Sequence, residues 1–137
     1  MSESHELVVT WTSPDRPGLV HAVTGACAQV GGNLTECQQF TSTDTGNFFI
    51  RLQVESASSR ADLESAVSEL AGKCNATVHV DELGRPVRTL ILASKASHCL
   101  SHLLFNRDAG RLPIDVVQVM ANHPDLADLV AFYEVPF

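Results

Sequence analysis

Two apolar stripes at helical spacing, set among segments of period two, constrain the front of this chain more than any other feature. Leu19, Val20, Val23, Ala26, Cys27 and Val30 recur over three turns, and Gly31-Gly32 closes that stretch. Leu63, Ala66, Val67 and Leu70 form the second stripe within residues 60–72, with Gly72 expected just past the helix end. Between the stripes, residues 47–55 (NFFIRLQVE) alternate Phe48, Ile50, Leu52 and Val54 against Asn47, Phe49, Arg51, Gln53 and Glu55 and are the clearest strand. Residues 33–41 (NLTECQQFT) alternate less cleanly, with Leu34, Glu36, Gln38 and Phe40 expected on one side. The turn Ser42-Thr-Asp-Thr-Gly46 joins these two segments as a hairpin, and residues 6–12 and 75–81 supply one strand at each end. Strand, helix, strand, strand, helix, strand is the ferredoxin-like split βαβ order. Four antiparallel strands with both helices on one face bury both stripes through short connections.

A different pattern follows the linker Glu82-Leu-Gly-Arg-Pro86, which divides the chain into residues 1–84 and 85–137. Residues 87–93 (VRTLILA) and 114–121 (IDVVQVMA) are near-continuous apolar runs, as strands covered on both faces require. Residues 98–106, carrying Cys99, Leu100, Leu103, Leu104 and Phe105, and residues 125–133, with Leu126, Leu129 and Val130 inward, read as helices. Strand–helix–strand–helix with short loops begins a parallel doubly wound sheet. The fold class is thus α/β: an α+β ferredoxin-like module, then the incomplete opening of a parallel sheet. Residues 85–137 offer too little chain to cover such strands, so they are expected to be a fragment of a larger domain.

The net charge of −7 lies entirely in the front module, where four basic residues (Arg16, Arg51, Arg60, Lys73) face eleven acidic ones. An acidic module without a basic stripe argues against nucleic acid and against anionic membranes as partners. No apolar run approaches the ~20 residues of a membrane span. The polar, acidic start MSESHE lacks the features of a signal peptide, so a cytoplasmic protein is expected. Cys27, Cys37, Cys74 and Cys99 form no Cys-x-x-Cys pair and are expected to be free thiols, mostly buried.

The segment Thr10-Trp-Thr-Ser-Pro-Asp-Arg-Pro-Gly-Leu-Val20 is a strand, an acidic turn and a helix start, with Pro17 placed to open the helix. A helix N-terminus offers free N–H groups to a small carboxylate. Asp15 could instead accept those N–H bonds itself as a cap. The Asp-x-Pro-Gly-Leu run (Asp15, Pro17, Gly18, Leu19) with Gly31-Gly-Asn33 after the helix resembles the ACT domain, over residues 7–81. That resemblance implies a small-molecule sensor that pairs with further copies, and effector contacts from Asp15, Arg16, Gly18, Leu19, Gly32 and Asn33.

The second half carries a sharper resemblance. Leu92-Ala-Ser-Lys-Ala-Ser-His-Cys-Leu100, Leu103-Leu104, Val119-Met-Ala-Asn-His-Pro-Asp-Leu126 and Val135-Pro-Phe137 resemble the opening of the catalytic domain in the formyltetrahydrofolate deformylase family. Thr45-Gly-x-Phe-Phe-x-Arg51 and Gly84-Arg85 add to it, so nearly the whole chain is covered. The resemblance implies hydrolysis of 10-formyltetrahydrofolate to formate and tetrahydrofolate, without a cofactor, supplying formate to purine synthesis. It implies a glycine or methionine effector, a homo-oligomer formed through the ACT module, and folate as the substrate of the full-length protein. It also implies a substrate loop at Ser94, Lys95 and His98, joined by Asn122. In the family an Asn-x-His-x-Ser motif and a distal Asp stabilise the oxyanion, protonate the leaving nitrogen and orient water. No such motif occurs in residues 1–137, and Asn122-His123 are adjacent and do not match it. The catalytic residues are therefore expected beyond Phe137. His98 and His102 are four apart on one helix, but with no third ligand nearby no metal is expected. The alternative is a stand-alone ACT-type amino-acid-binding regulator, for which residues 85–137 are dispensable.

Overall fold

The computed structural model describes residues 4–137, which divide into two compact units, one ending at Leu83 and one running from Gly84 to Phe137. The first contains β1 (His5–Pro14), α1 (Leu19–Gln29), β2 (Gly32–Thr41), β3 (Asn47–Ser56), α2 (Arg60–Cys74) and β4 (Thr77–Glu82). Its strands pair antiparallel in the order β2-β3-β1-β4. Leu7, Val9 and Trp11 of β1, Phe48, Ile50, Leu52 and Val54 of β3 and Val80 of β4 point to one face. There they meet Leu19, Val23, Ala26 and Cys27 of α1 and Leu63, Val67, Ala71 and Cys74 of α2 in one core. The ferredoxin-like expectation holds because both helical stripes need the same sheet face. Burying each larger side chain there contributes about 1.5–3 kcal/mol.

Three local expectations are corrected. Pro17 does not open α1: Gly18 is the residue before the first helical turn, at φ +88°, a backbone conformation that a side chain makes costly. Gly72 does not end α2. The apolar face continues through Ala71 to Cys74, and the left-handed Asn75 (φ 51°) terminates the helix, its N–H donating to the Ala71 carbonyl. At its start α2 has a reciprocal cap: the Asp62 N–H donates to Ser59 Oγ at 3.2 Å, and the Ser59 N–H to the Asp62 carboxylate at 3.1 Å. The third correction concerns β2, whose register against β3 shifts between Leu34 and Glu36. The extra residue, Thr35, makes a bulge. Leu34 opposes Val54 on the core side, whereas Glu36, Gln38 and Phe40 oppose Gln53, Arg51 and Phe49 on the open face. On that face Glu36 accepts from Gln53 (2.6 Å) and Gln38 (2.7 Å) and pairs with Arg51, and the Phe40 and Phe49 rings stack at 6.3 Å.

The second unit contains β5 (Val87–Ala93), α3 (His98–Asp108), β6 (Ile114–Ala121) and α4 (Ala127–Phe132), with a 3-10 turn over Pro124–Leu126 before α4. The helix expected over 125–133 is thus split in two, and α3 runs two residues further than expected. β5 and β6 are parallel neighbours, the opening of a parallel sheet. Ile91, Leu100, Leu104, Val116, Val119, Leu126, Val130 and Val135 form its core. Leu90, Leu92 and Met120 lie on the opposite face, Leu92 being 74% exposed. Cys99 and Phe105 also turn outward rather than joining the inward side of α3.

Cys27 and Cys74 are buried while Cys37 and Cys99 are exposed, so "mostly buried" holds for only two of the four. Burial pushes the Cys27 thiol up to about 11, which leaves it protonated and unreactive at neutral pH. Among the described residues no helix is long and apolar enough to cross a membrane.

Candidate functional site

A cleft of about 630 Å³ opens where the β1–α1 turn, the first turn of α1 and the ends of β2 and β3 converge. The turn is held from below: the Asp15 N–H donates to the Gly46 carbonyl at 2.9 Å, tying it to the β2–β3 hairpin. Leu19 is buried and anchors the helix start. The Ala22 N–H makes a helical bond to the Gly18 carbonyl, so the N–H groups of Leu19, Val20 and His21 have no partner within the helix. Among the described residues no side chain caps this end, and no acidic residue sits in its first turn. Asp15 is therefore not the cap, and its carboxylate is left as part of the cleft wall.

The walls divide chemically. Leu19, Val20, Phe40 and Phe48 are apolar, while Asp15, Arg16, His21, Gln39 and Thr41 are polar or charged. The Arg16 guanidinium and the positive helix end favour a carboxylate. The Asp15 carboxylate offers a counter-charge to an ammonium group, and the apolar wall offers contact to a short side chain. A small zwitterion carries all three features.

Four of the expected effector contacts, Asp15, Arg16, Gly18 and Leu19, line this cleft together. Gly32 and Asn33 do not. They follow the far end of α1, an 11-residue helix about 16 Å long. A Cβ at Gly32 would lie 2.7 Å from Val54 Cγ1 and 2.8 Å from the Cys27 carbonyl oxygen, so this glycine lets β2 pass closely beneath α1. Asn33 is exposed opposite Glu55. His21, Gln39, Phe40, Thr41 and Phe48 complete the lining and lie outside the expected set. The hairpin that carries the last four was legible, but not its register onto the helix start.

In the second unit, Ser94 follows β5 and Asn122 follows β6. Ser94 Oγ donates to Asn122 Oδ1 at 3.1 Å, outside the carboxyl ends of the two parallel strands. Open α/β sheets place ligands at that edge. Lys95 is exposed in the same connection and His98 is the first residue of α3, also exposed. Among the described residues no three His, Cys, Asp or Glu side chains converge as a metal group.

The ACT domain model matches residues 5–81. Over its whole length the chain is 39% identical to formyltetrahydrofolate deformylase of Corynebacterium sp. (strain P-1), covering 49% of that protein. It is 35% identical to the Mycobacterium tuberculosis (strain H37Rv) deformylase over 90% of the chain and 41% of that protein. The crystal structure of the deformylase from Pseudomonas putida KT2440 superposes with a TM-score of 0.83 at 28% identity, covering 98% of this chain and 48% of that one. The deformylase from Burkholderia mallei gives a TM-score of 0.81 at 29% identity, with 97% and 48% coverage. The chain thus spans about half the length of the relatives it matches.

Proposed function

We propose, for a chain that belongs to the ACT domain family, a part in formyltetrahydrofolate deformylation. The first unit senses a small amino acid, and the second is the opening of the domain that hydrolyses 10-formyltetrahydrofolate to formate and tetrahydrofolate. The observation that carries this reading is the extent of the likeness: it runs through both units in one order, over 98% of the chain in the Pseudomonas putida structure. An ACT module alone would account only for residues 5–81.

The cleft supports the sensing half. The N–H groups of Leu19, Val20 and His21 with Arg16 take the effector carboxylate, Asp15 takes its ammonium, and Leu19, Val20 and Phe40 face its side chain. Glycine and methionine are the candidates. ACT modules pair in a cytoplasmic homo-oligomer, and binding there changes the affinity or turnover of the folate site. The Ser94–Asn122 pair with Lys95 and His98 forms one wall of that folate site. Hydrolysis needs water, an oxyanion donor and a proton donor, so the reaction uses no cofactor. Residues 1–137 contain no Asn-x-His-x-Ser motif, so the chain alone should release no formate above the buffer blank.

A chimera tests the reading. Residues 1–137 replace the matching half of the Corynebacterium sp. deformylase, and formate release from 10-formyltetrahydrofolate is followed. Turnover by the chimera with none by the 137-residue chain is expected. A folded but inactive chimera, or ordinary turnover by the chain alone, would contradict it.

A further inference from the structure

Arg16 lines the cleft, and among the described residues its guanidinium has one side-chain partner, which is unusual. Its Nη2 donates to the sulfur of Cys74 at 2.9 Å, across 58 residues of sequence. A guanidinium has five N–H donors and no acceptor, so it is normally steered by carboxylates or carbonyl oxygens. Among the described residues no carboxylate forms an ion pair with Arg16. Its side-chain hydrogen bond goes instead to a sulfur, a weak acceptor.

The sulfur is itself well fixed. Cys74 is the last residue of α2, 8% exposed, and packs into the core shared by both helices and the sheet. The left-handed Asn75 ends the helix immediately after it, so the Cys74 side chain cannot slide along the helix axis without unwinding the cap. Arg16, by contrast, is exposed and sits in a turn with several rotatable bonds. An unanchored arginine there would spend most of its time in solvent.

We infer that Cys74 is the positioning residue of the effector cleft: its sulfur holds the guanidinium of Arg16, a residue of the cleft wall, and so sets the affinity for an effector carboxylate. The inference rests on the sensor reading for its consequence, but the anchor itself can be observed without any ligand. It also gives α2 a direct mechanical link to the cleft, because a shift of the α2 end moves the sulfur and with it the arginine.

Two measurements on the full chain separate the anchor from the sensor. The first follows the Arg16 Nε–Hε resonance by NMR in the wild type, Cys74→Ala and Cys74→Ser. An ordered signal is expected in the wild type and in Cys74→Ser, whose hydroxyl oxygen accepts, and a mobile one in Cys74→Ala at an unchanged fold. The second is calorimetric titration with glycine and with L-methionine. Cys74→Ala is expected to weaken binding about fivefold, as loss of one neutral hydrogen bond would. Cys74→Ser should restore it, and Cys74→Ala should have no further effect when Arg16 is already Ala. An equally ordered Arg16 in Cys74→Ala, or wild-type affinity in that variant, overturns the inference. If neither amino acid binds the wild type, the sensor reading fails, and the Arg16 signal alone then decides the anchor.

Discussion

Replacing Trp11 with alanine is expected to remove about 3–5 kcal/mol of stability, a large share of what a domain of this size possesses. Trp11 is 1% exposed at the middle of β1, between Ile50 of β3 and Val78 of β4. Its indole Nε1–H donates to Ser13 Oγ at 3.0 Å, and Ser13 is itself buried. Truncation therefore leaves a cavity between sheet and helices and strands a buried hydroxyl without its donor. Trp11 is the single tryptophan of the chain, so the unfolding of both forms should be followed by far-ultraviolet circular dichroism in urea. The midpoint should fall with little change in slope. Thr10→Ala, one residue away on the open face, serves as the control and should move stability by less than about 0.5 kcal/mol.

Gly32→Ala is expected to cost about 1–3 kcal/mol, against little residue-size change. The new methyl would meet Val54 Cγ1 at 2.7 Å and the Cys27 carbonyl oxygen at 2.8 Å. The valine can adjust its rotamer. The carbonyl cannot, because Cys27 lies inside α1 with a fully buried side chain. Relief must come from moving α1 or the start of β2, just ahead of the Thr35 bulge. Adding Val54→Ala should therefore recover only part of the loss. The neighbouring Gly31 is at φ +74° with open space around its Cβ position, so Gly31→Ala should cost only its backbone strain, about 1 kcal/mol. A Gly32→Ala variant as stable as the wild type would show that the close approach of β2 to α1 is not required.

What was legible beforehand and what was not divides along a physical line. The alternation of residues 47–55 survived intact in β3 because a central strand is held by partners on both sides, and its period follows from local geometry. In the edge strand β2 the expected alternation breaks at Thr35, since a bulge arises from pairing and not from the strand's own pattern. α2 runs past Gly72, a common helix stop, because Ala71 and Cys74 have core to fill and Asn75 takes the left-handed conformation. In the cleft, Asp15, Arg16, Gly18 and Leu19 were visible as one contiguous turn. Gln39, Phe40, Thr41 and Phe48 come to it through the hairpin, and Cys74 reaches Arg16 from the end of another helix, so proximity in sequence to the turn does not mark them.

The central claim is that the front unit holds an amino-acid site at the start of α1, and a backbone amide titration tests it most directly. Proton–nitrogen correlation spectra of the 137-residue chain are recorded with increasing glycine or L-methionine. One of the two should shift the amides of Leu19, Val20 and His21 in a saturable way, because these N–H groups take up the carboxylate. The amides of Gly31, Gly32 and Asn33 should stay in place. No saturable shift with either amino acid, or shifts confined to residues 31–33, would contradict the account.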